Sequence, residues 1–212
     1  MSVVSPLVRS AMSIPVSRIS TLIRDPYAVY ARHVLRLFPL DPIRQEPDAR
    51  LRGSALHAVM ERHARERPAG ETRAAARLRL LETAREVLAG LVPWPAARAL
   101  WQARLERVAG WFADFEARAG GTPVIIEEQG RIALRPGGFV LTARPDRIDM
   151  LEDGRLHILD YKTGTPPSKD QQEAFEKQLL LEAAMACRGG FPTLGPMEVA
   201  RISYVGLGST PK

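Results

Sequence analysis

The feature that most constrains the fold of this chain is a change of apolar period at Gly120-Gly121. Upstream, apolar residues recur at spacings of three and four. Leu56, Val59 and Met60, with His63 on an adjoining face, do so within GSALHAVMERHARE, and Trp101, Leu105, Val108, Trp111, Phe112 and Phe115 do so between about Ala96 and Ala119. That is the spacing of amphipathic helices. Downstream, the segments PVIIEEQGRIAL, FVLTARPDRIDML and RLHILDYKTG are rich in β-branched residues. Pro136-Gly137-Gly138 and Glu152-Asp153-Gly154 separate them, which predicts three strands joined by two tight hairpins. SKDQQEAFEKQLLLEAAMAC then predicts one helix capped by Ser168, and MEVARISYVGL a fourth strand.

The remaining segments complete a single domain over residues 1–212. Residues 1–16 read as an extended, proline-punctuated leader, and residues 17–119 as a mainly helical part that carries His57. Residues 120–212 form the sheet and the helix that would hold the chemistry. SRISTLIRDPYAVYARHVLRL offers Ser17 or Ser20 as an N-cap and is split into two short helices by Asp25-Pro26. FPLDPIRQEPDA is a loop, and a further helix runs from about Glu71 to Ala89. The aromatic stripe of the 96–119 helix is assigned to the core, since packing alone requires that spacing.

Charge points to the class of partner. The formal net charge is +6 and the sequence pI about 10.0, with lysine only at 162, 169, 177 and 212, so arginine dominates. Clustered guanidinium groups favour an anionic partner such as a phosphate backbone. Cys187 is the sole cysteine. It excludes an intrachain disulfide, a CxxC zinc site and an iron–sulfur cluster held by this chain's own thiolates. No window approaches about 18 uninterrupted apolar residues and no signal-peptide core is present, so a soluble, cytoplasmic protein is expected.

The chemistry concentrates in ARPDRIDMLEDGRLHILDYKTG, residues 143–164. Asp146 lies about seven residues before the Gly154 turn and Asp160 about six after it, so pairing places the two carboxylates nearly opposite each other. Two converging carboxylates repel unless one is protonated or a cation intervenes. Hard oxygen ligands suit Mg²⁺ or Mn²⁺. Lys162 shares a strand face with Asp160, where an ammonium could orient the attacking water or stabilise charge on phosphorus. The competing reading is a solvated hairpin salt bridge among Asp146, Arg147, Asp160 and Lys162.

Three features together decide between them. Pro145-Asp146 stands fourteen positions before Asp160-Tyr161-Lys162, which resembles the signature of the PD-(D/E)xK nuclease superfamily. Gly53-Ser54-Ala55-Leu56-His57 matches the Gly-x-x-x-His element of its RecB-like branch. Asp160-Tyr161-Lys162-Thr163-Gly164 followed by Gln178-Leu179-Leu180-Leu181 looks like that branch's DYKTG…QLxxY pattern. Most of the chain is similar to the C-terminal nuclease domain of AddB proteins, from SRISTLIRDPYAVYARHVLRL onward.

The resemblance implies a restriction-endonuclease-like α/β fold, a mixed sheet with an αβββαβ core flanked by helices, with an extra helical N-terminal half. It also implies Mg²⁺- or Mn²⁺-dependent cleavage of DNA, exonuclease action, and a role in double-strand break repair by recombination. The partners it implies are a single strand or unwound duplex end, an AddA-like helicase subunit and the remainder of AddB. Carried over by position, His57, Asp146, Asp160 and the Tyr161 carbonyl would be metal ligands. Lys162 would be the catalytic lysine, and Gln178 would position substrate or the lysine. Glu128 is assigned to surface or salt-bridge duty, and Arg144, Arg147, Lys169 and Arg131 are candidates for phosphate contacts.

Two departures stand out. Asp25-Pro26-Tyr27 occupies the place of a Cys-Pro-Tyr/Phe element, so no iron–sulfur cluster is expected. Glu182 stands where the branch's pattern has tyrosine. The rival reading is a catalytically silent module that binds DNA or braces a helicase. It would have lost an acid or the lysine, and both acids and Lys162 are present.

Overall fold

A computed structural model describes residues 13–40, 46–134 and 138–208. Most of the predicted leader, and Pro136-Gly137 of the first predicted turn, lie outside the described residues. The described residues open with β1 (Ser13–Pro15), a single 3₁₀ turn, and the short helices α1 (Ile19–Arg24) and α2 (Pro26–His33). The split falls at Asp25-Pro26: the Asp25 carboxylate accepts from the Ala28 amide at 3.1 Å, and Pro26 takes the first helical position, where it needs no donor. The structure corrects the predicted cap of the preceding helix. Arg18, not Ser17 or Ser20, stands at that position, and it makes no side-chain cap.

Three longer helices follow: α3 (Ala49–Arg65), α4 (Arg73–Leu91) and α5 (Pro95–Ala119). Asp48 and Thr72 cap the first two by accepting from the amides of Leu51 and Ala75. Gly120 ends α5 at a φ of 66° and Gly121 follows at 86°, a left-handed pair that turns the chain into the sheet.

The strands are β2 (Thr122–Ile126), β3 (Gly130–Leu134), β4 (Phe139–Ala143), β5 (Arg147–Met150), β6 (Leu156–Lys162) and β7 (Val199–Gly206), with α6 (Lys169–Ala174) and α7 (Gln178–Cys187) before the last. Two of the three predicted long strands are each broken in two, and the breaks face each other. β3 pairs with β4 and β2 with β5, both antiparallel, so one long hairpin passes from a 3-stranded sheet (β1-β4-β3) into a 4-stranded one (β2-β5-β6-β7). At the junction Pro145 has no amide to give the ladder, and Glu127 takes a φ of 54° while its amide donates to the Pro145 carbonyl at 3.1 Å. A positive φ at a residue other than glycine costs about 1–3 kcal/mol and persists only where surrounding contacts impose it.

The larger sheet is covered on both faces. Leu159 and Tyr161 of β6, with Val205 and Leu207, pack against Leu56, Val59 and Met60 of α3, Leu80 of α4, and Leu105, Val108 and Phe112 of α5. On the other face Ile148, Leu156 and Ile158 meet Leu179, Met185 and Ala186 of α7, with Leu141 and Ala143 of the smaller sheet. Each fully buried aliphatic side chain contributes about 1.5–3 kcal/mol, so α3 and α7 are held firmly against opposite faces of β6. β7 runs parallel to β6, as a helical crossover requires. Gly130 allows a close approach, since a Cβ there would stand 2.4 Å from the Phe191 ring.

The predicted 168–187 helix is interrupted. α6 ends at Ala174, and the Lys177 ammonium bonds the carbonyls of Gln172 and Glu173 that its last turn leaves open. α7 restarts at Gln178, which places that side chain over the end of β6.

Candidate active site

Strand parity sets the first half of the site. Asp160 and Lys162 alternate with the buried Tyr161 and point toward α7, whereas Tyr161 meets Phe112 of α5 edge-on at 6.1 Å between ring centroids. Register places Arg147 opposite Leu159, so Asp146 at the hairpin kink stands beside Asp160. One Asp146 oxygen accepts from the Tyr161 amide at 2.6 Å. The other lies 3.1 Å from His57 Nδ1, which α3 delivers from the opposite layer. Gly53, one turn earlier on α3, faces Thr163 of the Asp160–Gly164 segment, with a Cβ position 3.9 Å from its hydroxyl.

The structure adds an acid that the sequence reading did not assign. Ligand atoms of His57, Glu127 and Asp146 all lie within 4.8 Å of one another. Glu127 reaches the site because its positive φ turns the chain at the end of β2. Arg144 steadies it through a 2.8 Å bond to its carbonyl and a 3.0 Å contact with its carboxylate. Glu128 points elsewhere and accepts from the Thr193 hydroxyl.

Asp160 sits beside this trio. Its Oδ1 accepts from the Gln178 amide at 2.8 Å, and its Oδ2 lies 2.7 Å from the Lys162 ammonium. Gln178 also donates to Glu182 at 3.2 Å, and Glu182 is buried with its second oxygen lacking a hydrogen-bond partner among the described residues.

The electrostatics follow from six ionisable groups, His57, Glu127, Asp146, Asp160, Lys162 and Glu182, sharing a partly buried space. Burial, opposed by Lys162 and reinforced by Asp146, pushes Asp160 up to about 6. Burial and then the charge of Asp160 push Glu182 up to about 8. Burial and the Asp146 charge raise Glu127. His57 is raised too: burial opposes its charged form, but the hydrogen bond and charge of Asp146 outweigh that. The site therefore holds more protons than free carboxylates would. A cation placed among these groups would displace them.

Arg147 is not a phosphate contact, which corrects the sequence reading. It is 1% exposed and faces the helices, forked onto Asp149 at 2.6 and 2.9 Å and bonded to Glu116 of α5 at 2.5 Å. Glu116 also takes a 3.1 Å bond from His63 of α3. Burial opposes ionisation of Glu116, but His63 and Arg147 overcome it and hold the carboxyl at about 2. This network ties α3 and α5 to β5, on the face opposite Asp146, and so fixes the helix that carries His57. Arg131, Arg144 and Lys169 are exposed.

Residues 13–212 match the family model of the PD-(D/E)XK nuclease superfamily. The chain is also similar to uncharacterized proteins of Rickettsia bellii (29% identical, 92% of this chain, 26% of that protein) and Rickettsia typhi (28% identical, 91% of this chain, 24% of that protein). One from Rickettsia felis is 29% identical over 91% of this chain and 23% of that protein. The chain thus spans about a quarter of the length of these curated relatives. No helix among the described residues is long and apolar enough to cross a membrane.

Proposed function

Because the chain belongs to the PD-(D/E)XK nuclease superfamily, we propose that it hydrolyses DNA phosphodiester bonds with Mg²⁺ or Mn²⁺ held between α3 and the hairpin kink. The observation that carries this reading is the convergence of His57, Glu127 and Asp146 from three separate elements, within 4.8 Å of one another and beside the Asp160–Lys162 pair. Two carboxylates and an imidazole, with Asp160 adjoining, form a donor set suited to a hard divalent ion. The Tyr161 carbonyl is a further candidate ligand.

Such an ion supplies neutralisation of phosphate charge and polarisation of the attacking water. The chain's own residues do the rest. Asp146 is held by the Tyr161 amide, so one oxygen stays aimed at the ligand position. Lys162 pairs with Asp160 at 2.7 Å; were that carboxylate to serve as a ligand, the ammonium would be available to orient water or to stabilise charge developing on phosphorus. Gln178 keeps Asp160 in place. Arg144, Arg131 and Lys169 are the remaining candidates for backbone phosphates, consistent with recognition of strand path more than base identity.

The chain is further proposed to be the nuclease module of a longer, AddB-like helicase–nuclease subunit, acting as an exonuclease in double-strand break repair in the cytoplasm, with an AddA-like partner. Support comes from its sequence motifs and from relatives about four times its length. Single-stranded DNA digestion with Mg²⁺ or Mn²⁺ tests the activity. The parent should cut while Asp160→Ala and Lys162→Ala should not; equal cutting by all three would refute the assignment.

A further inference from the structure

Glu182 is a lone acid in an apolar run, LLLEAAMAC, and it is 1% exposed on the inner face of α7. One of its oxygens accepts from Gln178, one helical turn earlier, and the other has no hydrogen-bond partner among the described residues. An acid so placed does not help the fold, because an apolar side chain of the same size would fill the position without an unsatisfied oxygen. Its effect is on Gln178. That amide has two N–H donors; one goes to Asp160 at 2.8 Å and the other to Glu182 at 3.2 Å. With both donors committed to acids, the amide has one orientation. Its carbonyl turns away from the acids, and Asp160 Oδ1 receives a fixed donor. A cavity of about 250 Å³ lined by Gln178, Glu182, Gln129 and Arg144 adjoins the pair.

We propose that Glu182 is a positioning residue of the active site: it fixes the Gln178 amide, and through it holds Asp160 in the orientation that serves a divalent cation. The inference rests on the metal-site reading above and extends it to Glu182, which stands where the branch's pattern has tyrosine. Outer partners of this kind change metal affinity or activity about 10–100-fold when removed.

The test is Mn²⁺ titration calorimetry on the full 212-residue chain, with thermal melts in chelator as a check on folding and DNA cleavage as a second readout. Glu182→Met, of similar size and apolar, should melt no lower than the parent yet bind Mn²⁺ about 10–100-fold more weakly, with kcat falling and KM for DNA little changed. Glu182→Gln keeps an acceptor for Gln178 and should recover most of the loss. In a Gln178→Ala background, Glu182→Met should add nothing. Parent-like Mn²⁺ affinity in Glu182→Met, or a full second loss in the double variant, would overturn the proposal. If the parent binds Mn²⁺ but cuts no DNA, the nuclease reading fails while the binding arm still decides the role of Glu182. A parent that binds no Mn²⁺ overturns both.

Discussion

Replacing Glu182 with glutamine should flatten the pH dependence of folding stability in the metal-free protein. The carboxyl rises from an ordinary 4.5 to about 8 in the folded state, because burial and the neighbouring Asp160 disfavour its charge. The folded state therefore holds a proton there that the unfolded chain releases between those values. Each pK unit is worth about 1.36 kcal/mol, so the parent loses stability as pH rises through this window, by an upper limit of about 5 kcal/mol and fully only above pH 8. Between pH 5.5 and 8 the share is about 3 kcal/mol at most, and relaxation or water entry would lower it to about 2. Glutamine carries no titrating proton and mimics the neutral acid, so the variant should match the parent within about 1 kcal/mol at pH 5.5 and exceed it by about 2 kcal/mol at pH 8. Urea unfolding in chelator at the two pH values measures both differences. Parallel stability curves for parent and variant would refute the claim that Glu182 is folded in its protonated form.

Three further outcomes follow from the geometry. Glu127→Gln should weaken Mn²⁺ binding by about 10–100-fold while Glu128→Gln changes it less than about twofold, read by calorimetry; the reverse order would make Glu128, not Glu127, the site acid. Arg147→Ala should destabilise the fold by about 3–5 kcal/mol in urea unfolding, because it strands Asp149 and Glu116 in the interior, whereas Arg144→Ala should cost about 0–1 kcal/mol. Gly130→Ala should lower stability by about 1–3 kcal/mol, since the new methyl group would collide with the Phe191 ring; an unchanged melt would show that the ring moves aside.

Much of this architecture is legible in the residues. The period change at Gly120-Gly121 marks where the helical layer gives way to the sheet. The spacing of Asp146 and Asp160 about the Gly154 turn anticipates their adjacency, and parity puts Lys162 beside Asp160. The same parity would have sent Arg147 away from Asp146 and into the helices, where the structure places it. Glu127 was hidden for another reason. In a regular strand either member of Glu127-Glu128 could face inward, and the choice is made by a left-handed residue opposite Pro145 that no local residue preference announces. The break between α6 and α7 lacks glycine or proline and depends on Lys177 reaching back to two carbonyls. Burial of Glu182 is set by tertiary packing, though a lone acid among apolar neighbours is a signal that could have been weighed.

The proposed divalent ion would be held where α3 meets the hairpin kink. Anomalous diffraction from crystals of the protein grown with Mn²⁺ tests this placement directly. A manganese peak is expected about 2–2.3 Å from oxygens of Asp146 and Glu127 and from a ring nitrogen of His57, with Asp160 drawn toward it. Manganese found only elsewhere, with His57 still bonded to Asp146, would contradict the placement.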